Sequence, residues 1–505
     1  MATDTGHTGV FSEATELFEQ GEFSRCIELL HDRNNADVFA MYLRCLIRLE
    51  RCDEVVQPDV LERIADSSSD AQMTAYTLVA SALSRLTRYD EAGIYFEKAR
   101  SNAIGLGASN KVTAELDCLQ ARHFFQIGKF DAALQLTRSF GKYPAWRMKA
   151  IDLRSWILAI RGDLPGQVRL LLRALTYQQA GERWTRAAIL HTLSARIREL
   201  HFPQFADRVI EAAEAFPWTS DMSALEFFTF RNIGWITALN AQTIRAHDYY
   251  VRAAAAARNN PAQRVLILAD EAFLALTNSE RVTIESKMAS AAKLIKSVSW
   301  SDCGQARSAL LLLAELAARM GNGADSKKYF ELYAANRKPL NEQFPLGEWL
   351  EDDLQWYTKA WVERALGNRE KAIELFTEVF ERWKACGFRW RAVLTALALC
   401  DLDPRDEYFE FAIEETQEHF PLAWFAKDVI PHQRRLASAV YRKLSNTQRN
   451  IVQLLVEGKR NKQIADELVL SPNTVRSRLS ELYLKFTPDQ TNRAALVSLM
   501  KDYGL

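Results

Sequence analysis

The chain has no long apolar run. No stretch of about 18 hydrophobic residues occurs, which argues against a membrane-spanning helix. The most apolar segment, Ala309 to Leu316, is short and soon meets Arg319. The first residues are polar, with no apolar signal core, so neither secretion nor membrane anchoring is expected. Cysteine is sparse and scattered: seven residues, no C-x-x-C pair, several inside apolar helical patterns. Reduced, buried thiols of a cytoplasmic protein fit that usage; a thiol switch through Cys45 and Cys52 is the alternative. The motifs G-x-x-x-x-G-K-[ST], H-E-x-x-H and G-x-S-x-G are all missing, and the eight histidines are dispersed. No enzyme, metal or cofactor is therefore expected.

What is present is helix. From Phe11 to about Phe425, Ala, Leu, Glu and Arg dominate, and apolar residues recur three or four apart. No alternating strand pattern persists, and most of the 13 prolines fall at breaks in the helical pattern. A repeat runs through this body. Tyr89-Asp-Glu-Ala92 with Tyr95 and Phe96, Gly128-Lys-Phe-Asp-Ala-Ala133, and Leu366-Gly-Asn-Arg-Glu-Lys-Ala372 with Phe376 are its clearest copies. With Ala92, Ala132, Gln167, Ala206 and Ala246 as equivalent positions, the steps are 35 to 40 residues. The small residue lets paired helices approach, and the aromatic fills the gap to the next pair. One pair cannot bury its own apolar stripe, so the pairs must stack. The pattern is tetratricopeptide-like, with looser spacing than the standard repeat. The expected fold is therefore all-α, with an α-solenoid over residues 11–427 behind a disordered tail at 1–10. A compact globular helical domain is the alternative.

Charge is uneven although the total is zero. Residues 441–505 carry 11 Lys+Arg against 6 Asp+Glu, so the remainder is acidic. A basic end on an acidic body fits a phosphate-binding module attached to something that does not itself bind nucleic acid. Pro431-His-Gln-Arg-Arg435 breaks the helical pattern, and 428–440 is expected as a short linker.

Within the basic end, Ser445-Asn-Thr-Gln448 has capping-box spacing and opens a helix that Gly458 closes. Asn461 to Leu468 forms a short helix with Ile464, Ala465 and Leu468 inward. Ser471-Pro472 then caps a longer helix whose inward stripe is Val475, Leu479, Leu482, Tyr483 and Phe486. Its outward face shows Asn473, Thr474, Arg476, Ser477 and Ser480, small or basic groups suited to a nucleic-acid groove. Thr491-Asn-Arg493 caps a fourth helix with Leu496, Val497, Leu499 and Met500.

This pattern resembles the LuxR-type helix-turn-helix domain over roughly residues 441 to 503. The matching positions are Leu444, Gly458, Asn461, Lys462, Ile464, Ala465, Leu468, Ser471, Thr474, Val475, Tyr483, Lys485, Asn492 and Arg493. The resemblance implies a bacterial transcription regulator with a four-helix head at 441–505. It implies that Arg476, Ser477 and Ser480 read base edges in the major groove. Lys462, Thr474, Arg478 and Lys485 would hold phosphates, and Ala494, Val497, Ser498 and Lys501 would form a dimer contact. Double-stranded DNA and a second copy of the chain are then the expected partners. Four departures bear on target choice: Thr447-Gln448 replaces the usual Arg-Glu, Arg478 a common His, and Thr487-Pro488 the usual Gly-Val, while Glu481 adds an acid.

The body would receive the signal, as a regulatory protein or a small effector in a groove. Trp349, Trp356 and Trp361, beside acidic residues, are candidates for that groove, against the plainer reading that they pack repeats together. A second functional reading remains: an adaptor whose head no longer binds DNA specifically.

Overall fold

The structure is a computed structural model describing residues 5–30, 36–65, 68–109, 112–177, 183–258, 260–278, 280–337, 345–421, 423–426, 428–429, 444–487 and 491–502. Among the described residues there is no strand. The fold is all-α: a tetratricopeptide-like helical repeat followed by a small four-helix domain.

The chain divides into two compact units. The first comprises Met1–Ala238, Gln242–Gly367 and Cys386–Phe388; the second comprises Leu239–Ala241, Asn368–Ala385 and Arg389–Leu505. The expected boundary at 428 thus falls inside the second unit. In a solenoid each repeat touches mainly its neighbours, so a stack can divide between any two pairs. The expected linker lies largely in 430–443, outside the described residues.

In the first unit, α1 (Thr5–Gln20), α2 (Phe23–Leu30), α3 (Ala36–Arg48), α4 (Cys52–Val55) and α5 (Pro58–Ala65) lead into a series of pairs. The first helix begins at Thr5, within the segment expected as a disordered tail: helical hydrogen bonding runs ahead of the apolar pattern that starts at Phe11. The pairs are α6 (Ser69–Arg85) with α7 (Tyr89–Gly105), α8 (Ala114–Gln126) with α9 (Phe130–Phe140), and α10 (Pro144–Ile160) with α11 (Leu164–Ala174). Next come α12 (Arg183–Leu200) with α13 (Pro203–Glu214), α14 (Ser223–Leu239) with α15 (Thr243–Ala257), and α16 (Pro261–Thr277) with α17 (Arg281–Ile295). The unit ends with α18 (Ser308–Arg319), α19 (Gly323–Asn336) and α20 (Pro345–Ala365). The second unit holds α21 (Arg369–Cys386), α22 (Arg389–Leu402), α23 (Asp406–His419) and the four helices of the basic end.

One local device recurs at the turns. A residue at positive φ ends the first helix, and the next amide bonds back to a carbonyl five residues earlier, which closes a Schellman motif. Thr87, Gly128, Gly162 and Gly321 take that conformation. The matching bonds are Arg88 to Leu83, Lys129 to Phe124, Asp163 to Leu158 and Asn322 to Ala317, at 2.8–2.9 Å. The fourth residue of each second helix is buried at the crossing: Ala92, Ala133, Gln167, Ala206, Ala246, Ile284 and Ser326. Ala133, not the expected Ala132, is the equivalent of Ala92. One residue turns a helical side chain by about 100°, and only Ala133 is fully enclosed. Helices also close up where a first helix lacks bulk. A Cβ on Gly234 would lie 2.4 Å from the Tyr250 ring, so only glycine fits there.

The first unit also curls back on itself. Ser24 donates to Asp221 from both its amide and its hydroxyl, at 2.9 and 2.8 Å. The Thr219 hydroxyl donates to the Gly21 carbonyl at 3.0 Å. Phe23 meets the Trp184 ring edge-on at 5.6 Å. Contacts across nearly 200 residues thus join the first turn to the segment before α14.

Candidate nucleic-acid interface

The basic end is built from its caps inward. Its helices are α24 (Asn446–Val456), α25 (Asn461–Leu468), α26 (Pro472–Phe486) and α27 (Arg493–Asp502). Ser445 and Gln448 close the capping box: the Ser445 hydroxyl accepts from the Gln448 amide at 3.2 Å, and the Gln448 carboxamide oxygen accepts from the Ser445 amide at 3.1 Å. Gly458 ends α24 at φ 85°. The Gln463 side chain caps the Arg460 amide at 2.8 Å. The Ser471 hydroxyl accepts from the Thr474 amide at 3.0 Å, with Pro472 in the first helical position. The Asn492 side chain accepts from the Ala495 amide at 2.9 Å.

These caps fix four short helices around one core of Leu444, Ile451, Val452, Leu455, Ile464, Ala465, Val475, Leu479, Leu482, Leu496 and Met500. Between α25 and α26 the chain turns at Val469, which is left-handed at φ 53°. The Leu470 amide bonds the Ala465 carbonyl at 2.8 Å. The turn is the same motif as in the repeats, but with a β-branched residue where glycine or asparagine is usual.

With one stripe of α26 committed to the core, the opposite face is left to solvent. Thr474, Arg476, Ser477, Arg478 and Ser480 are all exposed on it. The Ser480 hydroxyl turns back to the Arg476 carbonyl at 3.1 Å. The Arg476 guanidinium makes no hydrogen bond or ion pair among the described residues, and neither does the exposed Lys462 ammonium of α25.

The remaining expected phosphate ligands differ in their freedom. The Thr474 hydroxyl lies 2.8 Å from that of Ser471. Arg478 is ion-paired with Glu481 at 2.9 Å, and Gln448 also donates to Glu481 at 3.3 Å. The acid that departs from the family pattern is thus held by a cation and an amide. The side chain of Lys485 lies outside the described residues. On α27, Ala494, Ser498 and Lys501 are exposed and Val497 is half-buried, so the face expected to pair with a second copy is open.

Arg493, a position of the LuxR-type pattern to which the sequence assigns no role, has a structural one. It donates to the Asn461 side chain at 3.1 Å and to the Lys459 carbonyl, pinning α27 to the start of α25. Burial raises the Tyr483 phenol above its ordinary range, with Arg493 pulling it partly back.

The tryptophan candidates in the body divide. Trp361 is buried, with the Arg319 guanidinium 4.1 Å and that of Arg364 4.9 Å from its ring centre, so it packs inside the repeat rather than facing a groove. Its neighbour Trp356 is half-buried, with the Lys359 ammonium 5.5 Å from its ring. The Trp349 side chain lies outside the described residues. Among the described residues no His, Cys, Asp or Glu cluster could hold a metal, and no helix is long and apolar enough to cross a membrane.

The architecture is that of a repeat protein carrying a helix-turn-helix head. Residues 442–500 match the family described as bacterial regulatory proteins, luxR family, and residues 74–99, spanning most of α6 and α7, match the tetratricopeptide repeat. The carboxyl-terminal domain is thus a LuxR-type DNA-binding domain, and the body contains tetratricopeptide-like repeats. Among curated proteins none matches this chain. Two similar solved structures are a Rap protein complexed with competence and sporulation factor and the APC/C hetero-tetramer Cut9-Hcn1. The first has 10% identity and a TM-score of 0.44, covering 73% of this chain and 99% of that one. The second has 11% identity and a TM-score of 0.37, covering 97% and 89%. At these scores, what those proteins bind says nothing about this chain.

Proposed function

We propose that this protein is a bacterial, cytoplasmic transcription regulator. Two heads, joined through Ala494, Val497, Ser498 and Lys501 of α27, place α26 in successive major grooves. Arg476 reads guanine, and Ser477 and Ser480 contact neighbouring base edges. Lys462, Thr474, Arg478 and Lys485 hold the backbone, helped by the positive end of the α26 dipole. The repeat body takes a regulatory protein or a small effector and governs when the head engages.

The observation that carries this reading is the outward face of α26. A capped helix, fully supplied with core contacts on one side, presents an uncommitted guanidinium and two hydroxyls on the other. A surface arginine with no internal partner costs the fold nothing to remove. Arg476→Ala should therefore leave the melting temperature unchanged while abolishing protected sites in footprinting on captured genomic DNA. A good bidentate contact is worth about 1–3 kcal/mol of base discrimination. An unaltered footprint in that variant would place the reading face elsewhere.

A further inference from the structure

A recess opens inside the first unit, away from the head. Its cavity volume is about 280 Å³, and a smaller polar pocket of about 170 Å³ shares Ser81, Arg85, Leu119 and Arg122 with it. The walls come from α3, α6, α8, α10 and α12, together with Phe18 of α1. These include the first helices of four successive pairs, which line one face of a stacked repeat. Phe18 of α1 and Trp184 of α12 both line the recess, and Phe23 packs against both rings, so α1 lies against one side of it.

Its charge is unbalanced. Arg44 is bound in two-pronged fashion by Glu115, at 2.8 and 2.5 Å, so that pair cancels. Arg48, Arg85, Arg122 and Lys149 also line the wall, with Asp152 as its other acid. Burial pushes the Asp152 carboxyl up, and Arg122 pulls it partly back. The side chains of Arg85 and Arg122 are exposed at the rim of the recess and make no hydrogen bond or ion pair among the described residues. Enclosure, followed by repulsion from Arg122 and Arg48, lowers the Arg85 guanidinium to about 10, still cationic at neutral pH. Cations outnumber the acids Glu115 and Asp152 along this wall, so an anion bound there would be attracted by Arg85 and Arg122 together. The other walls are flat and apolar: Trp146, with the Lys149 ammonium 4.3 Å from its ring, and Trp184.

We propose that this recess binds a small organic anion, a carboxylate or phosphate ester carrying a flat apolar group, with Arg85 and Arg122 holding the charge and Trp146 and Trp184 the ring. This deepens the reading of the body as a sensor and rests on it for any effect on transcription, but binding itself does not depend on the head. A volume of about 280 Å³ favours a small molecule over an extended peptide.

The test is calorimetric titration of the full chain with benzoate and with phenyl phosphate, using benzyl alcohol as the uncharged control. At least one anion should bind saturably and the alcohol should not; which anion binds tells carboxylate from phosphate. In the double variant Arg85→Gln with Arg122→Gln, affinity should fall by at least about tenfold, since two charge-assisted hydrogen bonds are lost. Circular dichroism and melting should show the variant folded, because the substitutions remove repulsion. Binding of neither anion, equal binding of the alcohol, or unchanged affinity in a folded variant would overturn the proposal. DNA binding is measured separately on the same preparations. An anion that binds where DNA does not leaves this site standing and removes the regulator reading; the reverse removes only this site.

Discussion

Glu481→Gln is the perturbation that tests the phosphate-contacting face most directly. Glu481 holds Arg478 at 2.9 Å, on side chains 43% and 47% exposed. An exposed pair of this kind stabilises a fold by less than about 1 kcal/mol. The new carboxamide keeps an acceptor for Gln448, which now donates to the acid at 3.3 Å. The head should therefore melt within a few degrees of the parent. For DNA the change is larger and of opposite sign. Arg478 is released to meet a phosphate, and each phosphate neutralised on duplex DNA adds about 0.9 to the slope of log affinity against log salt. From a one-molar reference, that extra contact is worth about fivefold in affinity at 0.15 M salt. The gain is independent of sequence, so a random duplex serves as probe, and fluorescence anisotropy over a salt series gives the slope. Glu481→Gln should bind more tightly at low salt, with a steeper slope and convergence at high salt. An unchanged slope, with the variant folded, would mean that Arg478 does not face the backbone.

Two further outcomes follow from strain and titration. Val469 is left-handed and largely exposed, a conformation that costs a β-branched residue about 1–2 kcal/mol. Val469→Gly should stabilise the head by up to about 1 kcal/mol after the added freedom of the unfolded chain is subtracted; a lower denaturant midpoint would refute the strain. In the body, burial, and then Arg198 and Arg196, hold the His191 imidazole down to about 4. The folded chain thus keeps it neutral where the unfolded chain protonates it near 6.5. Its contribution is complete above that unfolded value and is lost as pH falls toward 4. The loss is at most roughly 3 kcal/mol, reduced because the ring is only partly enclosed. Melting temperatures between pH 7 and pH 4 should fall less steeply in His191→Gln than in the parent; parallel curves would sink the assignment.

Much of the head was legible because its signals are local. A serine three residues before a glutamine, a proline in the first helical position and a glycine after the last apolar residue each act within one turn. Ser445, Gln448, Gly458, Ser471 and Pro472 accordingly do in the structure what their spacing implies. The repeat was legible for the same reason, since its turns and its small residues recur. What escaped depends on distant chain. Arg493 meets partners more than thirty residues away, and Ser24 meets Asp221 at 197. The choice between Ala132 and Ala133 is made by the helix across the crossing, not by either alanine. Val469 escaped for a different reason. Its neighbours demand a left-handed turn, and its own side chain resists one.

The same distinction explains why the recess in the body could not be foreseen. Arg85, Arg122 and Lys149 sit on three different helices, α6, α8 and α10, and each alone reads as an ordinary solvated cation of an amphipathic surface. Their helices become neighbours only when successive pairs stack. The acidic excess expected for the body concerns its total charge and hides a local cationic recess. Total charge governs solubility and long-range steering; the stack decides which charges must share a wall. The proposed anion site is therefore written in the superposition of first helices, whereas the tryptophans near 349–361 stand out because they are close along the chain. There Trp361 is already occupied by Arg319 and Arg364, whereas Arg85 and Arg122 have no such internal partner.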